Sequence, residues 1–371
     1  MSSSVSTEFA DIQPMFLPMQ SYPLTASGVG PTVIIYPPTI DWNWMKQRPQ
    51  QLMEQFAIHG HEVYYCNKTQ QTGMEIETLQ PKLNLVHDNI GFIRECIPEL
   101  KRQGRRIIVW TSWSKLHGFV EQYQPDLLIY DYVDDIPEWA PYLGPMVQRA
   151  DLVITSAKAL QRQITREYPT KPSCLVPNGC NLEHFGQYRT TAPDKPTELL
   201  QLQGPIAGFV GAWAHWVDQQ LVHQLARSFP SVNFVIVGVE YAAKVDRSIP
   251  NLHYVGYKSY QELPRWMHFF DVCLIPFKIN EITVAANPVK MYEYLASGKK
   301  VIATDLPEVR KVPHVWIGKG LNEWRRLLPL VLSEDTPFDA LANEEWLREQ
   351  NWTTRYHAIV EAVRQHLHVK V

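Results

Sequence analysis

The sequence lacks a strong net charge, a cysteine pattern, a long apolar run and a dinucleotide-binding fingerprint, and each absence removes a class of function. Its 35 Lys and Arg against 38 Asp and Glu leave a formal charge of −3, which argues against a nucleic-acid binder held by bulk electrostatics. The basic cluster Lys101, Arg102, Arg105 and Arg106 is a local exception. It reads either as a solvated helix end or as a peripheral contact with anionic lipid. Five cysteines, Cys66, Cys96, Cys174, Cys180 and Cys273, are odd in number and never spaced CxxC. Neither a disulfide framework nor a zinc site is expected, and reducing cytoplasm is the natural home. The opening MSSSVSTEFADIQPMF has neither the basic start nor the apolar core of a signal peptide. No run approaches the roughly 20 apolar residues that span a bilayer, so the expectation is a cytoplasmic protein, at most peripheral at the inner face of the membrane. No GxGxxG follows a strand-like run.

What is present is an ordinary globular composition, 45% hydrophobic over 371 residues, a length that predicts two domains. The 12 Trp and 17 Tyr exceed what packing usually demands, and sugars stack well on aromatic faces. After an irregular arm over residues 1–30, apolar runs such as TVIIY (Thr32 to Tyr36) and DLLIYD (Asp126 to Asp131) alternate with helical patterns to about residue 190. Such alternation predicts parallel strands with right-handed crossovers. A polar, proline-bearing linker covers 191–204. A second α/β unit restarts at IAGFVG (Ile206 to Gly211) and runs to about 345, and residues 346–371 form a helix whose apolar face packs back across the interface. The fold class read from this order is α/β, with two Rossmann-like domains facing each other across a cleft.

The most informative stretch is KINEITVAANPVKMYEYLASGKKVIAT, Lys278 to Thr304. Asn287 is placed to cap, Pro288 to open and Gly298 to stop a helix predicted from about Pro288 to Ser297. Lys290 and Glu293 share a stripe beside the core-facing Val289, Tyr292, Leu295 and Ala296. A helix N-terminus with a lysine in its first turn can hold an anion, and a glutamate one turn deeper can accept hydrogen bonds from hydroxyls attached to it. The same two residues also read as an i,i+3 surface pair worth a few tenths of a kcal/mol.

Three loops leave predicted strands at their carboxyl ends, where open α/β sheets place ligands. Pro37 to Arg48 carries Trp42, Trp44 and Arg48. The exit of the Asp126 to Asp131 strand carries Asp131, Asp134 and Asp135, carboxylates that can orient hydroxyls, act as a base or bind a metal. One of them, Asp135, also reads as a cap for a helix at Pro137. Gly211 to Asp218 carries Trp213, His215 and Trp216, expected on the cleft floor. Asn178 and Gly179 read as turn chemistry.

Several segments together resemble the GT-B glycosyltransferases, specifically the family-4-like (group 1) branch that includes teichuronic-acid biosynthesis transferases. They are WMKQRPQQL (Trp44 to Leu52), YDYVDD (Tyr130 to Asp135), RADLVITSAKAL (Arg149 to Leu160), VPNGCNLEHF (Val176 to Phe185), GFVGAWAHWVDQQLV (Gly208 to Val222), NPVKMYEYLASGKKVIAT (Asn287 to Thr304) and NWTTRYHAIV (Asn351 to Val360). The resemblance implies sugar transfer from a nucleotide-sugar co-substrate, UDP- or GDP-linked, to a carbohydrate or lipid-linked acceptor, with no cofactor and no bound metal. Donor binding falls to Gly211, Trp213, Lys278, Asn287, Pro288, Val289, Lys290 and Glu293, with Glu293 on the nucleotide ribose and Lys290 on the diphosphate. Catalysis falls to Asp131, Asp134 and His215, and acceptor binding to Trp42, Trp44, Arg48 and Asp135. The family's first glutamate falls on Ala285, so sugar contacts there would come from backbone, Asn280 or Thr283. His215 stands where relatives carry an Arg/Lys pair, for which Lys278 or Lys290 would substitute.

The expected activity is a retaining hexosyltransferase in cell-surface polysaccharide or glycoconjugate synthesis. Two other classes share the expectation of this fold: a sugar-nucleotide epimerase and a non-catalytic glycan-binding or partner subunit.

Overall fold

The computed structural model describes residues 32–310 and 312–369, with side chains to residue 365; the arm read over residues 1–30 lies outside them. The first sheet contains β1 (Thr32–Tyr36), β2 (Glu62–Cys66), β3 (Glu77–Gln80), β4 (Leu83–Val86), β5 (Arg106–Thr111), β6 (Leu127–Tyr132), β7 (Leu152–Thr155) and β8 (Ser173–Leu175), in the order β3-β4-β2-β1-β5-β6-β7-β8. The second contains β9 (Ile206–Val210), β10 (Asn233–Val237), β11 (Leu252–Gly256), β12 (Val272–Ile275), β13 (Lys300–Thr304) and β14 (Val315–Gly318), in the order β11-β10-β9-β12-β13-β14. Pairing is parallel except at the edge strand β3. The apolar runs explain this, because every residue of β1, β9 and β10 is buried, as in sheets covered on both faces. Strand order reverses between β1 and β5 in one sheet and between β9 and β12 in the other. Both reversals open ligand crevices at the carboxyl ends.

Four helices position the site: α1 (Arg48–Ile58), α2 (Glu281–Ala285), α3 (Val289–Ala296) and α4 (Trp352–Val369). On α4, Trp352, Tyr356, Ile359, Val360 and Val363 are buried in the first domain's core beside Leu52 and Phe56 of α1. The terminal helix therefore crosses back, as its spacing predicts. Among the described residues no helix is long and apolar enough to cross a membrane.

Local departures have local causes. The helix predicted over Ile90 to Gln103 contains a wide π-type turn at Phe92–Cys96, where the Ile97 N–H donates to the Phe92 carbonyl. Pro98 cannot donate to Arg94, and the wider ladder absorbs the missing bond. The helix expected over Lys115 to Tyr123 is two short 3₁₀ turns, Ser114–Leu116 and Val120–Tyr123. The edge strands β3 and β14 lie outside the strands read from the sequence; ETLQ lacks apolar alternation, and VWIG is half-exposed at a sheet edge.

Candidate functional site

The helix α3 begins one residue later than its sequence predicts. Pro288 sits at its N-cap with φ −68° and ψ 110°, and the stop at Gly298 is as read, with φ 73°. Asn287 does not cap it. Its Oδ1 accepts the Asn178 N–H at 3.1 Å, its carbonyl accepts Asn178 Nδ2 at 2.7 Å, and its Nδ2 donates to Glu308 at 3.2 Å. The side chain is drawn to a partner 109 residues away in the first domain. Glu308 also accepts the Lys158 N–H at 3.0 Å, at the start of the first-domain helix Lys158–Glu167. Asn178 is thus more than turn chemistry: it takes Arg48 Nη1 at 3.2 Å on its side-chain oxygen and Arg355 Nε at 3.1 Å on its carbonyl. One asparagine ties α1, α3 and α4 together.

On the same helix Glu293 is 7% exposed and Lys290 is half-buried. Among the described residues they form no ion pair with each other, and neither the carboxylate nor the ammonium has a hydrogen bond. The surface-pair reading is therefore corrected: Glu293 is withdrawn into the protein and Lys290 half-withdrawn, and the two are not joined. Burial raises the Glu293 carboxyl to about 7 against the opposing pull of Lys290, and burial lowers the Lys290 ammonium against the pull of Glu293.

Beneath the lysine lies Gly211, at the exit of β9. Its φ is +143°, and a Cβ there would stand 2.1 Å from Lys290 Cε and 2.7 Å from Nζ. A Cβ on Gly238, at the exit of β10, would stand 2.0 Å from the Gly211 carbonyl. Two adjacent strand ends thus lack side chains where Lys290 crosses them. The Gly211 loop is fixed to the segment after β12 by Asp218 N–H to the Pro276 carbonyl (2.7 Å) and Lys278 N–H to the Trp216 carbonyl (2.8 Å). Backbone without side chains, a half-buried lysine and a buried unpaired carboxyl meet at the β9/β12 reversal. This arrangement can hold an anion and, one turn deeper, a diol.

Residues 204–320 match the family model described as Glycosyl transferases group 1. Over 243 residues the chain is 29% identical to a Bacillus subtilis (strain 168) protein named as a teichuronic acid biosynthesis glycosyltransferase, TuaH. The match covers 57% of this chain and 59% of that one, about three-fifths of the relative's length. Among solved structures, the sucrose-phosphate synthase of Thermosynechococcus elongatus superposes with a TM-score of 0.69 at 14% identity, covering 92% of this chain and 100% of that one. An Anabaena protein, HepE, in complex with UDP and glucose gives 0.63 at 13%, covering 89% and 98%. The chain has the GT-B fold, and residues 204–320 of its second domain are similar to the group 1 glycosyltransferases.

On the GT-B frame, the remaining predicted residues separate. Trp213 is fully buried, packed on Phe209 with ring centroids 5.9 Å apart, so it belongs to the core and not to the donor surface. Its N–H pairs to the Val239 carbonyl, which turns the side chain inward. His215 is exposed against Trp216, and Lys278 is exposed. Val289 packs partly against the first domain's core. Asn280 and Thr283 are used by their own turn: Asn280 Oδ1 accepts the Thr283 N–H, and the Thr283 hydroxyl, 2% exposed, donates to the Lys278 carbonyl. Ala285 packs among first-domain core residues such as Leu160.

Arg48 and Asp131 are brought together. Read as acceptor ligand and catalyst, they are buried and paired with each other, Nε to Oδ2 at 2.8 Å, with Trp110 Nε1 a further donor at 3.3 Å. The pair ties α1 to β6 and the Asn178 turn, and Arg48 Nη2 is left buried without a partner. Asp134 is half-buried, and its carboxyl is raised to about 6 by burial and then by Asp131. Asp135 does not cap the turn at Pro137; it accepts the Tyr132 hydroxyl at 2.9 Å. Trp42 lies edge-on to Tyr65, while Trp44 is 48% exposed. Among the described residues no group of three His, Cys, Asp or Glu is arranged to hold a metal.

Proposed function

We propose that the chain transfers a sugar from a nucleotide-sugar donor, UDP- or GDP-linked, to a hydroxyl of a glycan or lipid-linked acceptor in cell-surface polysaccharide or glycoconjugate synthesis, with retention at the anomeric carbon. The observation that carries this reading is the pair of charges on α3 above Gly211, a buried Glu293 and a half-buried Lys290 with no ion pair between them. A nucleoside diphosphate matches it: phosphate oxygens for Lys290 and the free N–H groups of the helix start, ribose hydroxyls for Glu293. The group 1 domain over 204–320 and the name carried by the Bacillus relative support the same class of reaction. UDP is the first nucleotide to test, because the HepE complex holds it.

In the transfer, the bond from the anomeric carbon to the diphosphate oxygen breaks and a bond to the acceptor oxygen forms. Negative charge grows on the departing diphosphate, where Lys290 and the helix dipole stabilise it most. A donor phosphate oxygen takes the acceptor's proton, so no side-chain base is required on that face. The test is release of UDP or GDP from a panel of nucleotide sugars, with Lys290→Ala and Glu293→Gln beside the native chain. Loss of turnover in both variants is expected; unchanged turnover in both would place the donor elsewhere.

A further inference from the structure

We propose that the first domain binds an anionic group of the acceptor, a sugar carboxylate or phosphate, at Trp113, His117, Lys68 and Lys115; the assignment to an acceptor rests on the transfer reading above. Lys68 Nζ lies 5.5 Å and Lys115 Nζ 5.9 Å from the centre of the Trp113 ring, and Lys115 Nζ lies 5.7 Å from that of Tyr142. Among the described residues neither ammonium has a carboxylate within 4 Å. Surface lysines are commonly paired with carboxylates; these two rest on aromatic faces, with Asp41 acting on Lys68 only beyond ion-pair distance. Beside them Trp113 Nε1 and His117 Nδ1 are shielded from solvent and have no hydrogen-bond partner. Both rings are only half-buried, so a small rotation of either would present its unpartnered nitrogen to a ligand held by the lysines.

The position fits. Trp113 follows β5 and Lys68 follows β2, on either side of β1, so the cluster stands at the β1/β5 reversal where the first sheet opens its crevice. The two strand ends are tied there by a 2.6 Å hydrogen bond between the Tyr36 and Ser112 hydroxyls. Trp139, 6.4 Å from Trp113, and Tyr142, stacked on His117 at 5.9 Å, supply faces for a sugar ring. A water-sized hollow of about 10 Å³ between Ser114, Asp134 and Trp139 adjoins them.

Saturation-transfer NMR on the full chain, titrated with glucuronic acid, glucose 6-phosphate and glucose, tests this directly. The variant is Lys68→Gln/Lys115→Gln, in which both lysines are exposed and the unfolding midpoint is expected to stay unchanged. At least one anion should bind at least about tenfold more tightly than glucose, and the double variant should lose at least about tenfold of that affinity. The tighter anion identifies carboxylate or phosphate as the group. No binding by either anion, equal binding of glucose, or unchanged affinity in the double variant would overturn the proposal. So would lysine-dependent sedimentation with phosphatidylglycerol vesicles when neither free anion binds, since the residues would then serve a membrane surface. Neither donor nor transfer is scored, so failure here leaves the Lys290 and Glu293 reading standing, and loss of that reading leaves an anion site.

Discussion

Gly211→Ala examines the donor site through a residue that carries no chemistry of its own. The added methyl would stand 2.1 Å from Lys290 Cε and 2.7 Å from Nζ. Carbon–carbon contact needs about 3.5–4.0 Å, so the end of the lysine must swing away by on the order of 1.5 Å. The backbone cannot give way toward β10, because the Gly211 carbonyl already occupies the space where Gly238 would carry a Cβ. A φ of +143° also suits glycine alone, and an alanine held there costs about 1–3 kcal/mol. Two effects follow. Urea unfolding should show that loss of stability, and calorimetry with UDP should show the loss of one charge-assisted contact, about 1.5–3 kcal/mol or on the order of ten- to a hundredfold in affinity. Lys290→Ala should match the affinity loss without the loss of stability. The double variant should bind UDP no more weakly than either single one, since the two substitutions remove the same ammonium. Wild-type affinity in Gly211→Ala, or additive losses in the double variant, would refute the proposed role of the Gly211–Lys290 contact in donor binding.

Other outcomes follow from the same geometry. The folded Glu293 carboxyl titrates at about 7, above its ordinary value, so the native state keeps a proton that the unfolded chain has released. Its contribution is therefore most favourable at low pH and is lost as pH rises through about 7. Glu293→Gln should stabilise the ligand-free protein at pH 8 and change it little at pH 5, as thermal unfolding across pH would show. Arg48→Met leaves Asp131 charged and buried and should cost about 3–5 kcal/mol in urea unfolding, part of it recovered in Arg48→Met/Asp131→Leu. Asn287→Ala removes the side chain shared by Asn178 and Glu308, and small-angle scattering should show a larger radius of gyration for the ligand-free chain.

Elements with local signals were legible in the sequence. Continuous apolar runs marked the central strands of both sheets, and the stripe along Val289 to Ala296 marked the helix α3 with its stop at Gly298. Lys290 and Glu293 were readable because one helix sets their spacing. What was not readable depends on partners far along the chain. Asn287 has the chemistry of a cap, yet Asn178 claims it from 109 residues away. Arg48 and Asp131 each have the chemistry of a site residue, yet they pair with each other across 83 residues of sequence. Trp213 follows a strand as a ligand-binding residue would, but pairing with the end of β10 turns it into the core. Trp113 and His117 carried no sequence signal, because an unpartnered buried nitrogen is a property of the packed structure.

The central claim is that α3 holds the nucleotide end of a donor. Calorimetric titration of the full chain with UDP and GDP, repeated on Lys290→Ala and Glu293→Gln, tests it most directly. Binding of at least one nucleoside diphosphate is expected, weakened on the order of tenfold or more by each substitution. Absence of binding by both nucleotides, or binding that neither substitution changes, would contradict it.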